Sequence, residues 1–130
     1  MTDIKIIDID ENSKIFLFNV EKNIAFLNQS IIPNEQLEKI RRYKEDKDRT
    51  KRVLARSFLF NYCKEKYNLE DFSFEYTNNK KPKFKNSELS FSISYSMSVI
   101  FWVVTTIKGK KAFAFNTVNI FSFSIRFVFP

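Results

Sequence analysis

Three groups of basic and hydroxyl side chains have the types and spacing that suit a phosphorylated ligand. The first group is Arg49, Arg52 and Arg56. Arg52 and Arg56 are four residues apart, a spacing that places two guanidinium forks on one helix face, within reach of neighbouring phosphate oxygens. The Lys80-Lys81-Pro82 stretch sets point charges beside a stiff proline. A third group offers hydroxyls at the end of a strand: Ser92, Ser94, Tyr95 and Ser96. Each group alone is common on protein surfaces and has a purely structural alternative.

The composition excludes several other classes of site. The 130-residue chain, long enough for one domain, contains no histidine and one cysteine, Cys63, which leaves too few ligands for zinc. Gly109 is the only glycine, whereas the Walker A and dinucleotide-binding loops need several. The formal net charge of +7 favours a nucleic acid, a phosphorylated small molecule or an acidic protein as partner. Residues 89–130 contain no Asp or Glu, and these are the side chains that chiefly hold Mg²⁺.

The compartment is expected to be the cytoplasm. The first residues carry acids instead of a basic and then apolar leader, so no signal peptide is expected. A lone cysteine allows no disulfide within the monomer, in keeping with a reducing compartment. The longest apolar run, 99–104, is too short to span a bilayer, and no membrane partner is expected.

The elements that must position these residues predict an α+β fold, with two helices packed on a small antiparallel sheet. A helix begins at Pro33, and a second, over 48–67, carries Arg52 and Arg56. The charged run 41–52 has two interpretations, a solvated helix face or a loop. Residues 78–88 are expected to form a basic loop. Alternating or continuous apolar stretches predict strands over 4–9, 15–20, 24–27, 72–76, 89–94 and 99–106.

The tail, residues 107–130, has an unusual pattern. Its phenylalanines fall on one parity, which is typical of a strand with an aromatic face that must be buried. The same composition would arise from a degenerate or out-of-frame continuation of the coding sequence. We therefore divide the chain into 1–106 and the Phe-rich tail, 107–130.

Residues 30–105 resemble the N-terminal half of the 4′-phosphopantetheinyl transferases of the surfactin-synthetase-activating type. That family has an arginine pair, an Arg-x-x-x-Arg helix, a Gly-Lys-Pro loop and a strand reading Phe-Asn-hydrophobic-Ser-His-Ser. This chain has the same order of features in Arg52 to Arg56, in Lys80-Lys81-Pro82 and in the Phe-Ser-Ile-Ser-Tyr-Ser stretch, 91–96.

The resemblance implies one subdomain of a two-subdomain fold that binds coenzyme A in a cleft. The family uses Mg²⁺ and transfers the phosphopantetheine arm of coenzyme A to a serine of an acyl or peptidyl carrier protein. By this resemblance Arg52 and Lys81 hold the 3′-phosphoadenosine end, and Ser94 and Tyr95 contact its phosphates. Arg56 is the fifth residue assigned to coenzyme A.

The chain departs from the family pattern at several positions. Lys80 stands in place of glycine, Ser92 in place of asparagine and Tyr95 in place of histidine. In the stretch 114–118, only Asn116 remains as a degenerate counterpart of the metal-binding carboxylates of Gly-x-Asp-x-Glu. The Trp-x-x-Lys-Glu motif is absent from the sequence. We therefore assign no catalytic residue and expect a truncated homologue that is inactive alone and does not itself bind Mg²⁺.

Two alternatives remain. The first is a non-catalytic module that binds coenzyme A or a carrier protein. The second is a small nucleic-acid-binding domain, which the basic charge allows. The acids of the N-terminal third count against that second alternative, and nucleic acid is not an expected partner.

Overall fold

The structure, a computed structural model, describes residues 4–10, 13–96 and 99–105. They confirm the predicted α+β class. The elements, in chain order, are β1 (Ile4–Asp10), β2 (Ser13–Asn19), α1 (Val20–Asn23), α2 (Asn34–Arg41), α3 (Asp46–Tyr67), β3 (Phe74–Tyr76), β4 (Pro82–Phe84), β5 (Ser90–Ser96) and β6 (Val99–Thr105), with single 3₁₀ turns at Ile24–Phe26 and Gln29–Ile31.

The strands form two antiparallel sheets. The larger has the order β1-β2-β6-β5, and the smaller is the β3–β4 hairpin. Strands β2 and β6 pair along their whole length, from Ser13 opposite Thr105 to Asn19 opposite Val99. The N-terminal hairpin therefore lies beside the last described strand, and β5 lies at the end of the sheet beside the β3–β4 hairpin.

Helix α3 packs on one face of the larger sheet through aromatic pairs. The ring of Phe18 lies 4.5 Å from that of Phe58 in an edge-on contact. Phe16 makes a similar contact with Tyr62 at 4.7 Å. Because side chains alternate along a strand, Ile15 and Leu17 of β2 lie on the opposite face, where they are buried as well.

The β3–β4 hairpin is held to α3 by a cluster of phenylalanines. Phe60 is fully buried and its ring stacks on that of Phe72 at 4.9 Å. It also contacts the rings of Phe74 and Phe84. Phe84 in turn lies 4.7 Å from Phe91 of β5, so one aromatic cluster joins the helix, the hairpin and the sheet.

The ends of α3 follow ordinary helix chemistry. Asp46 and Asp48 lie in its first turn, where carboxylates favour the positive end of the helix dipole. Asn68 ends the helix in the left-handed conformation, with φ 57°, which asparagine tolerates better than most residues. The charged run 41–52 is thus a short connection followed by the start of the helix.

Two sequence predictions are wrong. The segment 24–27 is not a strand: the side chain of Asn19 caps Lys22 N–H, so the chain turns directly after β2 and continues as a 3₁₀ turn closed by Leu27 N–H to Ile24 O at 3.1 Å. The expected loop 78–88 contains the strand β4, which pairs with β3 from Phe84 opposite Phe74 to Pro82 opposite Tyr76.

The predictions for the C-terminal tail concern residues that the structure does not describe. The tail, 107–130, and the domain boundary placed before it lie outside the described residues. Within the described ranges, no helix combines the length and hydropathy needed to cross a bilayer.

Candidate anion-binding site

A cavity of about 380 Å³ opens between the helices, the β3–β4 hairpin and β5. Helix α2 and the connection after it form one wall, and α3 forms the floor. The hairpin and β5 complete the enclosure. The lining residues are Lys39, Ile40, Tyr43, Arg52, Arg56, Phe74, Tyr76, Lys81, Pro82, Phe91, Ser92, Ile93 and Tyr95.

Four of the five residues assigned to coenzyme A line this cavity: Arg52, Arg56, Lys81 and Tyr95. They come from α3, the hairpin and β5, which are separated along the chain. The fifth, Ser94, is half-buried but does not line it. Asn116 lies outside the described residues.

The cavity carries a strong positive charge. Its lining includes the cations Lys39, Arg52, Arg56 and Lys81 and, among the described residues, no carboxylate. The nearest acid on the helix is Asp48, whose Oδ1 lies 3.7 Å from an Nη atom of Arg52. An anion entering the cavity therefore meets several cations within aromatic and aliphatic walls, where charge interactions are less screened than in water.

The guanidinium of Arg52 lies between two aromatic rings. Its central carbon is 4.0 Å from the centre of the Tyr43 ring and 4.6 Å from that of Tyr95. One Nη atom also contacts the backbone oxygen of Asp48 at 3.4 Å. A planar guanidinium whose faces lie against rings can still present N–H donors along its edge to the oxygens of a phosphate group.

Arg56 is held by a different set of contacts. Its Nε donates to Oε1 of Gln36 at 3.1 Å, and one Nη donates to the backbone oxygen of Arg52 at 3.3 Å. The guanidinium carbon lies 5.6 Å from the centre of the Phe74 ring. The two arginines are thus fixed side by side on α3, as their spacing predicts.

Lys81 reaches the cavity from the turn between β3 and β4. Lys80 N–H donates to Thr77 O at 2.8 Å, and Thr77 N–H donates to Lys81 O at 2.9 Å. Lys80 has φ 62°, the left-handed conformation that closes this type of hairpin and that glycine adopts most readily. Burial lowers the pKa of Lys81 below that of an ordinary lysine, because desolvation disfavours its charged form.

Tyr95 stays protonated at neutral pH. Burial raises the pKa of its hydroxyl, while the positive charges of Arg56 and Arg52 and a hydrogen bond with Arg56 oppose that rise. The phenol is therefore a neutral group that can donate one hydrogen bond. Its ring lies against the guanidinium of Arg52, and its hydroxyl contacts Arg56.

Several lining residues were missed by the sequence predictions. Lys39 of α2 lies with its Nζ 4.1 Å from the centre of the Tyr76 ring, across the cavity from α3. Tyr43 comes from the charged run, where one aromatic residue among charges is the only available signal. Neither α2 nor β3 carries a motif that links it to the arginines, so their participation follows from packing alone.

The lining does not fit a magnesium ion. Mg²⁺ prefers carboxylate and other oxygen ligands, whereas the described lining offers four cations. Elsewhere in the described ranges, no group of three or more acidic, histidine or cysteine side chains is placed to hold a metal.

Comparison with known proteins adds no relative. No protein-family model matches the chain, and no curated protein or solved structure matches it either.

Proposed function

We propose that this chain is a 4′-phosphopantetheinyl transferase homologue whose described part binds coenzyme A in the basic cavity. The observation that carries the proposal is the meeting of Arg52, Arg56, Lys81 and Tyr95 in one cavity whose described lining has no carboxylate. The resemblance described above assigns the same four residues to coenzyme A. A ligand with phosphate groups and a planar base suits cations set among aromatic rings.

A second observation supports the same proposal at the hairpin. Lys80 occupies the position of the family's glycine, and its positive φ is the conformation for which glycine is the natural choice. The α+β arrangement of helices on an antiparallel sheet is also what one subdomain of such a fold requires. The fold relationship is part of the proposal.

Calorimetric titration with coenzyme A tests the proposal. We expect binding by the wild-type chain and a loss of about tenfold or more in affinity for Arg52→Ala and Lys81→Ala, since each removes a charged hydrogen bond. Lys85→Ala is the matched control, because Lys85 is an exposed residue that does not line the cavity. Dephospho-coenzyme A, which lacks the 3′-phosphate, should bind less tightly. No heat at millimolar coenzyme A would refute the proposal.

A second candidate function is a non-catalytic module that binds coenzyme A or a carrier protein. The described lining favours it, because cations without carboxylates can bind a phosphorylated ligand but cannot hold the metal that the family uses. Incubation of the purified chain with coenzyme A, Mg²⁺ and a carrier protein tests whether the chain is non-catalytic. Mass spectrometry should detect no phosphopantetheine on the carrier serine. Mg²⁺-dependent loading would instead identify a transferase.

We propose a reducing cytoplasm as the compartment. A single cysteine allows no disulfide within the monomer, which suits a reducing compartment. Cys63 is a free, buried thiol whose pKa burial raises to about 12, so it stays uncharged and poorly reactive.

A further inference from the structure

Gln36 is a buried polar residue that joins three parts of the fold. It lies on α2 and is 3 % exposed. Its Nε2 donates to the backbone oxygen of Phe72 at 2.8 Å, and its Oε1 accepts from Arg56 Nε at 3.1 Å. A carbonyl oxygen can only accept, so the NH₂ end must face Phe72 and the oxygen must face Arg56. The hydrogen-bond network therefore fixes the orientation of the amide.

The partners of Arg56 leave its positive charge intact. Gln36 Oε1 and the backbone oxygen of Arg52 are neutral acceptors. Tyr95, the third polar contact, is a protonated phenol. Within the described ranges Arg56 has no ion pair, whereas Arg52 forms one with Asp48. A carboxylate in place of Gln36 could hold the guanidinium equally well but would neutralise it.

We infer that Gln36 is a positioning residue of the cavity: its neutral amide holds Arg56 at the anion site without cancelling the charge that binds the anion. The inference rests on the proposed function, in which Arg56 contacts a phosphate group. A glutamine that served only the backbone of Phe72 would influence folding but not the affinity of the folded protein for anions.

Two substitutions separate these roles. Gln36→Met has a similar length and removes both hydrogen bonds, so Arg56 loses its tether. Gln36→Glu keeps an acceptor near Arg56 and adds a negative charge. Both disturb the contact with Phe72, so affinity is measured below the unfolding transition of each variant, with circular dichroism showing that the fold is retained. Gln29→Met is the control, because Gln29 is exposed and does not line this cavity.

The probe is adenosine 3′,5′-bisphosphate, titrated by calorimetry. We expect a few-fold loss of affinity for Gln36→Met and at least a tenfold loss for Gln36→Glu near neutral pH, where the introduced carboxyl is ionised. As the pH falls through the pKa of that carboxyl, the ratio of variant to wild-type affinity should return towards one. The phosphates of the probe titrate in the same way in both measurements, so their effect on affinity cancels in this ratio. Unchanged affinity in both variants, or a ratio for Gln36→Glu that does not change with pH, would overturn the inference.

A ligand-free measurement tests the tether itself. Arginine Nε–H signals are observable by NMR, and Arg56→Lys assigns the one that belongs to Arg56. We expect this proton to exchange slowly with solvent in the wild type and faster in Gln36→Met. The same exchange rate in both proteins would refute a hydrogen bond to Gln36 that holds Arg56. If the bisphosphate shows the expected response at Gln36 while coenzyme A does not bind, the proposed function alone fails. If coenzyme A binds and the substitutions at Gln36 have no effect, the inference alone fails.

Discussion

The central guanidinium carbon of Arg52 lies 4.6 Å from the centre of the Tyr95 ring. This contact joins α3 to β5 at the cavity. A cation over an aromatic face gains about 0.5–2 kcal/mol, depending on its exposure. The ring of Tyr95 therefore helps to hold the arginine that is expected to bind phosphate.

Substitutions at Tyr95 should separate the ring from the hydroxyl. We expect Tyr95→Phe to keep coenzyme A affinity within about twofold, because the ring over Arg52 remains. Tyr95→Leu removes the ring, and we expect a loss of about fivefold or more. Calorimetry on both variants checks the order. Equal losses would show that the hydroxyl, not the ring, carries the contribution of Tyr95.

The pH dependence of binding should report Lys81. Burial lowers the pKa of Lys81, so in the free protein this lysine loses its proton at a lower pH than an exposed lysine does. A bound phosphate favours the charged form, and affinity must fall as the pH rises through that lowered pKa. Adenosine 3′,5′-bisphosphate is a suitable probe above neutral pH, since its phosphates are already fully ionised.

Lys81→Arg provides the control for that titration. Arginine stays protonated throughout the alkaline range, so the variant should keep its affinity to higher pH than the wild type. Binding curves measured at steps from neutral pH to about pH 10 would show the difference. Parallel curves for the two proteins would contradict a role for Lys81 in binding.

Replacing Lys80 by glycine should stabilise the fold. A non-glycine residue in the left-handed conformation destabilises the folded state by about 1–2 kcal/mol. Glycine removes this strain, but it also loses more backbone entropy on folding, so the net stabilisation is smaller. With φ 62° at Lys80, we expect Lys80→Gly to raise the free energy of unfolding by about 0.5–1 kcal/mol. Urea denaturation measures the change. Asn79→Gly in the same turn is the control, and it should lower stability, since Asn79 does not have a positive φ.

The aromatic cluster around Phe60 predicts a large effect on stability. Phe60 is fully buried and stacks on Phe72, so Phe60→Ala should lower the free energy of unfolding by about 3–5 kcal/mol. Ile24→Ala is the control: Ile24 is 48 % exposed, and its change should stay within about 0.5 kcal/mol. A loss at Phe60 no larger than that at Ile24 would mean that the hairpin does not depend on this cluster.

The order of strands and helices could largely be predicted because strong local patterns mark them. Leu54 and Phe58 are buried on α3, and their spacing of four residues is that of one helix face. The predicted strand over 24–27 is wrong. Its apolar residues suit a strand, but the helix cap at Asn19 turns the chain directly after β2. Strand β4 was missed because it is three residues long, begins with proline and carries Lys83, which forms a cross-strand ion pair with Glu75.

The cavity was predicted only in part, for a physical reason. Arg52 and Arg56 follow from helical spacing, and Lys81 and Tyr95 follow from residue types that suit phosphate. Gln36 carries no local signal, because a glutamine on a helix reads as solvated until the helix is packed against Phe72 and Arg56.

The pairing of β2 with β6 has a consequence for the order in which the molecule forms. Every described lining residue of the cavity lies between Lys39 and Tyr95. The larger sheet is complete only when β2 of the first hairpin pairs with β6, and these two strands lie near opposite ends of the described chain. Pairings between distant segments close slowly. During synthesis, a nascent chain can therefore have all the binding residues outside the ribosome while β2 still lacks its central partner.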